Sequence, residues 1–300
     1  MTTRTIDRPT AADRPTAADR PTAAASRTVE RTYTAMPASD GAGVRLNRVI
    51  GRPGLPDLDP FLLLDEFRSE DGADYIGGFP DHPHRGFETV TYMLAGRMRH
   101  GDNKGNVGLL RPGSVQWMTA GRGIVHSEMP EQEDGLLQGF QLWVNLPAKD
   151  KMTAPRYQDI EPEAVPTVAA ADGVQVKVIA GRVGTVQGVV ETGATDPTYL
   201  DVVLAPGARF TQPVPAGHNA FVYVYDGSAA VGDGETLRRS EIGLLSDGEA
   251  ITVAAGTEPT RLLIIAGRPL GEPVARHGPF VMNTNAEIRQ AAEDFLAGRF

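Results

Sequence analysis

A chain of 300 residues, 41% hydrophobic and 22% charged, is long enough for one large domain or two ordinary ones and reads as soluble and globular. Its net charge of -9, without any lysine- or arginine-dense patch, argues against direct nucleic-acid binding, and no apolar run nears the roughly 18 residues of a membrane span or forms a signal core. The absence of cysteine excludes disulfides, thiol catalysis and thiolate metal sites, and fits an expected cytoplasmic location.

Residues 7–24 are three tandem copies of Asp-Arg-Pro-Thr-Ala-Ala. A hexad with one proline per copy and almost no bulky apolar residue can neither sustain a helix nor fill a core, so residues 1–30 are expected to be a disordered tail. Short apolar or alternating runs follow at 44–50, 61–64, 87–94, 115–118 and 140–146, broken by glycine and proline. The last alternates most cleanly, with Phe140, Leu142, Val144 and Leu146 on one face and Gln141, Trp143 and Asn145 on the other. Asn103-Lys104-Gly105-Asn106 reads as a hairpin turn. The polar, proline-spaced stretch 147–172 reads as a linker or domain-edge excursion. Strand-like runs return at 174–179, 199–204, 221–225, 251–253 and 261–265. Many short strands at this spacing predict an all-β chain of two similar domains, each a sandwich or barrel. At the end, Thr284-Asn285-Ala286-Glu287 has the capping-box pattern, and Ile288, Ala291, Ala292, Phe295 and Leu296 follow at helical spacing. That apolar stripe predicts a short helix docked on a sheet.

The chemistry concentrates in Asp81-His82-Pro83-His84-Arg85-Gly86-Phe87-Glu88 and Gly123-Ile124-Val125-His126-Ser127-Glu128. Side chains two apart on a strand share a face, which pairs His82 with His84 and His126 with Glu128. Imidazoles with one carboxylate suit a divalent first-row transition metal and leave coordination positions open. Spacing admits a second set, His82, His84, Glu88 and His126, since Glu88 shares the strand parity unless Gly86 breaks the register. His100, His218 and His277 read as structural histidines, Trp117 and Trp143 as packing with pocket lining as the alternative, and Arg85 as a holder of a carboxylate or anionic substrate or as a surface or structural ion pair.

The segments 79–92, 116–130, 141–146 and 277–285 resemble the pirin family, in its order and spacing, and the similarity runs from about Arg27 to Phe300. The resemblance implies a bicupin, two antiparallel β-barrels of the double-stranded β-helix or jelly-roll type side by side. It implies a metal-binding barrel over 31–160, a barrel without metal over 161–280, and a closing segment with a helix docked on a barrel over 281–300. The family's iron ligands carry over to His82, His84, His126 and Glu128, which leaves Glu88 a supporting carboxylate. The implied cofactor is Fe(II), with other divalent transition metals as substitutes. The implied activity is that of a quercetin 2,3-dioxygenase, acting on a flavonol-like molecule with O2 and releasing carbon monoxide, with Glu128 taking the 3-hydroxyl proton. The alternative is an iron- and redox-dependent regulator whose partner is a transcription factor or a metabolic enzyme.

Overall fold

The computed structural model describes residues 26–300, so most of the tail expected to be disordered lies outside the described residues. Residues 26–30, counted with that tail, are built into the fold. Arg27 is 1% exposed, and its guanidinium donates to the carbonyls of Pro215, His218, Ser246 and Gly248.

Two units of the same build make up the chain, each a seven-stranded sheet with a four-stranded one, and every strand pairing in them is antiparallel. In the first unit the wide sheet runs Arg156–Ile160, Val115–Thr119, Phe87–Ala95, Leu137–Asn145, Phe61–Ser69, Val44–Ile50, Met36–Asp40. Its narrow sheet runs Phe79–His84, Ile124–Pro130, Met98–Asp102, Val107–Leu110. In the second unit the wide sheet runs Val29–Thr34, Glu241–Leu245, Asn219–Asp226, Thr260–Gly267, Thr198–Leu204, Val174–Ala180, Thr167–Ala171. Its narrow sheet runs Arg209–Pro213, Ala250–Ala255, Ser228–Val231, Glu235–Arg238. The expected hairpin turn joins Met98–Asp102 to Val107–Leu110, with Gly105 at φ +90°. The stretch 147–172 is a domain-edge excursion that adds one edge strand to each wide sheet, Arg156–Ile160 to the first and Thr167–Ala171 to the second.

The two wide sheets face each other. One buried cluster joins Val90, Trp117, Phe140, Leu142 and Val144 of the first unit to Tyr199, Phe221, Tyr223, Ile242 and Leu263 of the second. The second unit also has an aliphatic interior of its own, built around Val176, Leu200, Val222, Ile251 and Ile264. Such a packed interior leaves little room for polar chemistry.

Both ends of the described chain cross between units. Val29–Thr34 pairs with Glu241–Leu245 in the second unit's sheet. In return, the hairpin Ala275–His277/Phe280–Met282 and the helix Asn285–Leu296 cover the first unit. Val281 N–H donates to Arg85 O at 3.0 Å, and Phe280, Ile288, Ala291 and Phe300 pack with Val125. The helix carries the expected capping box, Glu287 N–H to Thr284 Oγ1 at 3.2 Å and Thr284 N–H to Glu287 Oε2 at 2.8 Å. It buries Ile288 and Ala291, whereas Leu296 at its end stays 84% exposed.

Candidate metal centre

Strand pairing brings the histidines together. Phe79–His84 runs antiparallel to Ile124–Pro130 with His82 opposite His126, so alternation along each strand points His82, His84 and His126 at one another. Ring centroids are 4.7 Å apart for His82 and His84, 4.4 Å for His82 and His126, and 5.0 Å for His84 and His126. One nitrogen from each ring lies within 4.8 Å of the others, the one such group of metal-ligating side chains among the described residues.

The donors are also left without partners. His84 and His126 are 2% and 1% exposed, yet both ring nitrogens of His126 and Nδ1 of His84 make no hydrogen bond. Burial, reinforced by the neighbouring imidazoles, pushes both histidines well below the ordinary histidine range, so they sit there neutral with lone pairs available. Unpartnered buried nitrogens are costly, and a divalent cation would satisfy one on each ring. His82 is held by its other ring nitrogen, Nδ1 lying 2.8 Å from Pro80 O, an orientation that leaves Nε2 for an ion.

Glu128 stands beside this group but not within it. It lies two residues beyond His126 on the same strand, and the register shift there falls on the partner strand, where His82 and Phe79 oppose His126 and Glu128. Its carboxylate is buried and held from two sides, Thr91 Oγ1 at 2.8 Å from Oε1 and Gln141 Nε2 at 3.0 Å from Oε2. Thr91 Oγ1 also lies 2.7 Å from Gln141 Oε1. Glu88 is placed elsewhere. Gly86, at φ +91°, ends the run that carries His82 and His84, and the next strand begins at Phe87 in the other sheet. Phe87 packs against His84 and Trp143, so Glu88 faces the opposite way and accepts from Thr119 Oγ1 at 2.7 Å. Burial holds its carboxyl above the ordinary range.

His82, His84 and Glu128 open onto a cavity of about 560 Å³ whose walls include Leu63, Phe67, Met98, Gln141 and Trp143. Gln141 and Trp143 belong to the polar face of the alternating strand, while Phe140, Leu142 and Val144 pack into the seam between units. Of the two tryptophans, Trp117 is packing alone, and Trp143 both packs and lines the cavity, edge-on to His84 at 5.1 Å. Arg85 forms the expected ion pair, 2.7 Å from Asp294 of the helix. His100 is buried, its Nε2 2.7 Å from Gln116 Nε2, His218 is buried in the second unit, and His277 is exposed. In the second unit the corresponding strand pair presents Phe210, Ile251 and Val253 to its aliphatic core.

Four residues of the site were not anticipated from the sequence: Thr91 and Gln141, which hold Glu128, and Arg48 and Arg276 in the cavity wall. The alternation that set Gln141 apart from Phe140 and Leu142 was the one available signal. Lys151 was also missed. It is 1% exposed, and its Nζ donates to Gly86 O at 2.7 Å, Asn145 Oδ1 at 2.6 Å and Val281 O at 3.0 Å, tying the turn after His84 to the covering hairpin.

Comparison with known proteins agrees with this layout. The Pirin family pattern matches residues 43–144 and the Pirin C-terminal cupin domain matches residues 199–300. A pirin-like protein of Caulobacter vibrioides is 52% identical over 275 residues, covering 91% of this chain and 99% of its own. Pirin of Homo sapiens is 46% identical over 277 residues, covering 90% of this chain and 93% of its own. Among solved structures, a quercetin 2,3-dioxygenase from Acinetobacter baumannii superposes with a TM-score of 0.85 at 37% identity, over 92% of this chain and 99% of that one. The mostly β, two-unit fold described above is therefore a cupin-like bicupin. No helix among the described residues is long and apolar enough to cross a membrane.

Proposed function

The chain belongs to the pirin family, and on that premise we propose that it is a mononuclear iron protein acting as a quercetin 2,3-dioxygenase, opening a flavonol ring with O2 and releasing carbon monoxide. The observation that carries this reading is the trio His82, His84 and His126, in which His84 and His126 keep unpartnered buried nitrogens, beside a cavity of about 560 Å³ lined by His82 and His84. His82, His84, His126 and Glu128 would hold the ion, which supplies Lewis acidity toward a flavonol oxygen and a redox centre for O2.

The chain's own residues do the rest. Leu63, Phe67 and Trp143 give the cavity apolar walls that receive a flat ring and exclude water. Glu128 accepts the 3-hydroxyl proton, and its surroundings suit that role. With a proton on Oε1, three contacts close a ring: Glu128 donates to Thr91, Thr91 to Gln141 Oε1, and Gln141 Nε2 to Glu128 Oε2. With Glu128 ionised, the single Thr91 hydroxyl proton serves one of its two neighbours. Thr91 and Gln141 thus give the abstracted proton a fully satisfied resting place.

The test is anaerobic loading with Fe(II), followed by quercetin and O2, with oxygen uptake and carbon monoxide release measured for wild type and Glu128→Gln. Carbon monoxide released in step with quercetin loss, and abolished in the variant, is the expected result. Bound iron with no carbon monoxide from wild type would overturn the enzyme reading in favour of the redox-dependent regulator.

A further inference from the structure

Of the two arginines in the cavity wall, one is already committed. Arg48 donates to both carboxylate oxygens of Asp65, at 2.9 Å and 2.8 Å, and to Asp40 at 2.7 Å. Arg276 has no carboxylate within 4 Å among the described residues. It comes from the hairpin that covers the first unit, stands exposed in the cavity wall, and spends Nη1 on Leu62 O at 3.0 Å. Its guanidinium carbon lies 4.8 Å from the ring centroid of Trp143, the ring whose edge meets His84. One indole therefore touches both a histidine of the trio and a cation of the cavity wall. A guanidinium carries five N–H donors and keeps its charge, and contact with the indole holds it at the wall, which leaves donors beyond the one spent on Leu62 O for an oxyanion.

We propose that Arg276 makes this cavity selective for planar aromatic ligands bearing an acidic group, carboxylate or phenolate, which its guanidinium receives at the cavity wall. The inference rests on the reading of the cavity as the substrate site and narrows the substrate class. The catechol and ring phenols of a polyhydroxylated flavonol belong to that class, and an unsubstituted 3-hydroxyflavone does not.

The experiment uses the Fe(II)-loaded protein without O2 and two probes on the same ring, 6-hydroxy-2-naphthoate and 2-naphthol, titrated calorimetrically. Wild type should bind the naphthoate about tenfold or more tighter than the naphthol, as a charge-assisted hydrogen bond implies. Arg276→Gln should erase that preference and leave the Kd for 2-naphthol within about twofold, while Arg276→Lys, which keeps the charge but not the fork, should retain part of it. Equal binding of the two probes by wild type, a comparison that needs no variant, would overturn the proposal. So would an equal loss for both probes in Arg276→Gln, which would make the arginine a packing residue over Trp143. Because binding is read without O2, the outcome is independent of carbon monoxide release. Acid selectivity without turnover sinks the dioxygenase reading alone, and turnover without selectivity sinks this inference alone.

Discussion

Thr91 Oγ1 lies 2.8 Å from Glu128 Oε1, on a strand of the opposite sheet. The contact gives Glu128 a fixed orientation and a partner that can accept as well as donate, as a group that takes up and returns a proton requires. Thr91→Val keeps the shape and removes the hydroxyl. Quercetin turnover should fall about tenfold or more, the usual scale for a disturbed proton transfer, with metal content unchanged. Unaltered turnover would remove Thr91 from the proton's path, and lost metal would make its role one of holding a ligand.

Glu88 and Glu128 exchange roles with a single assumption about the backbone at Gly86. If the strand ran straight, Glu88 would share a face with His82 and His84. Gly86 is left-handed, however, and an added Cβ there would come within 1.9 Å of Val281 O, so the chain turns and Glu88 faces Thr119. Glu88→Gln should therefore keep full metal occupancy, measured by elemental analysis after dialysis. Loss of the metal would return Glu88 to the ligand set.

That pair also marks what the sequence could convey. The His-x-His and His-x-Glu spacings declared their shared faces, because period two is local. The competing carboxylate could not be sorted, because glycine permits both a straight strand and a turn. In the run 140–146 the alternation was plain, but the destination of each face was not. The apolar face went to the seam between units, and Gln141 and Trp143 turned to the cavity. Arg276 and Lys151 reach the site through long-range packing, Arg276 from the far end of the chain, and no local pattern announces that.

Lys151 supplies a pH test. Burial pulls its ammonium from the ordinary 10.5 to about 8, although three oxygens accept from it. Between about pH 8 and 10.5 the unfolded chain then binds a proton that the folded chain has released, so this group adds stability as pH rises through that window. Below about 8 the buried ammonium costs stability relative to the neutral amine. In urea melts, the stability of wild type relative to Lys151→Met should increase from pH 8 to 10, by up to about 1.4 kcal/mol per pH unit. A flat or declining difference would show that the three acceptors outweigh desolvation.

Across the seam, Tyr92 of the first unit donates to Asp201 Oδ2 of the second at 2.6 Å, while Tyr225 serves Oδ1 at 2.6 Å. Asp201 is 4% exposed, and burial raises its carboxyl above the ordinary range, so each lost donor leaves a costly gap. Tyr92→Phe should lower the stability of the whole chain by about 1–3 kcal/mol, read from the urea midpoint. An unchanged midpoint would mean that the seam does not depend on this bond.

The most direct test of the metal centre is equilibrium binding of Fe(II) under argon to wild type and His126→Ala, with circular dichroism to verify the β fold of the variant. Wild type should take up one ion per chain, and His126→Ala, which removes a buried ring of the trio, should take up close to none while keeping its fold. A folded His126→Ala variant that still binds one ion per chain would contradict the site.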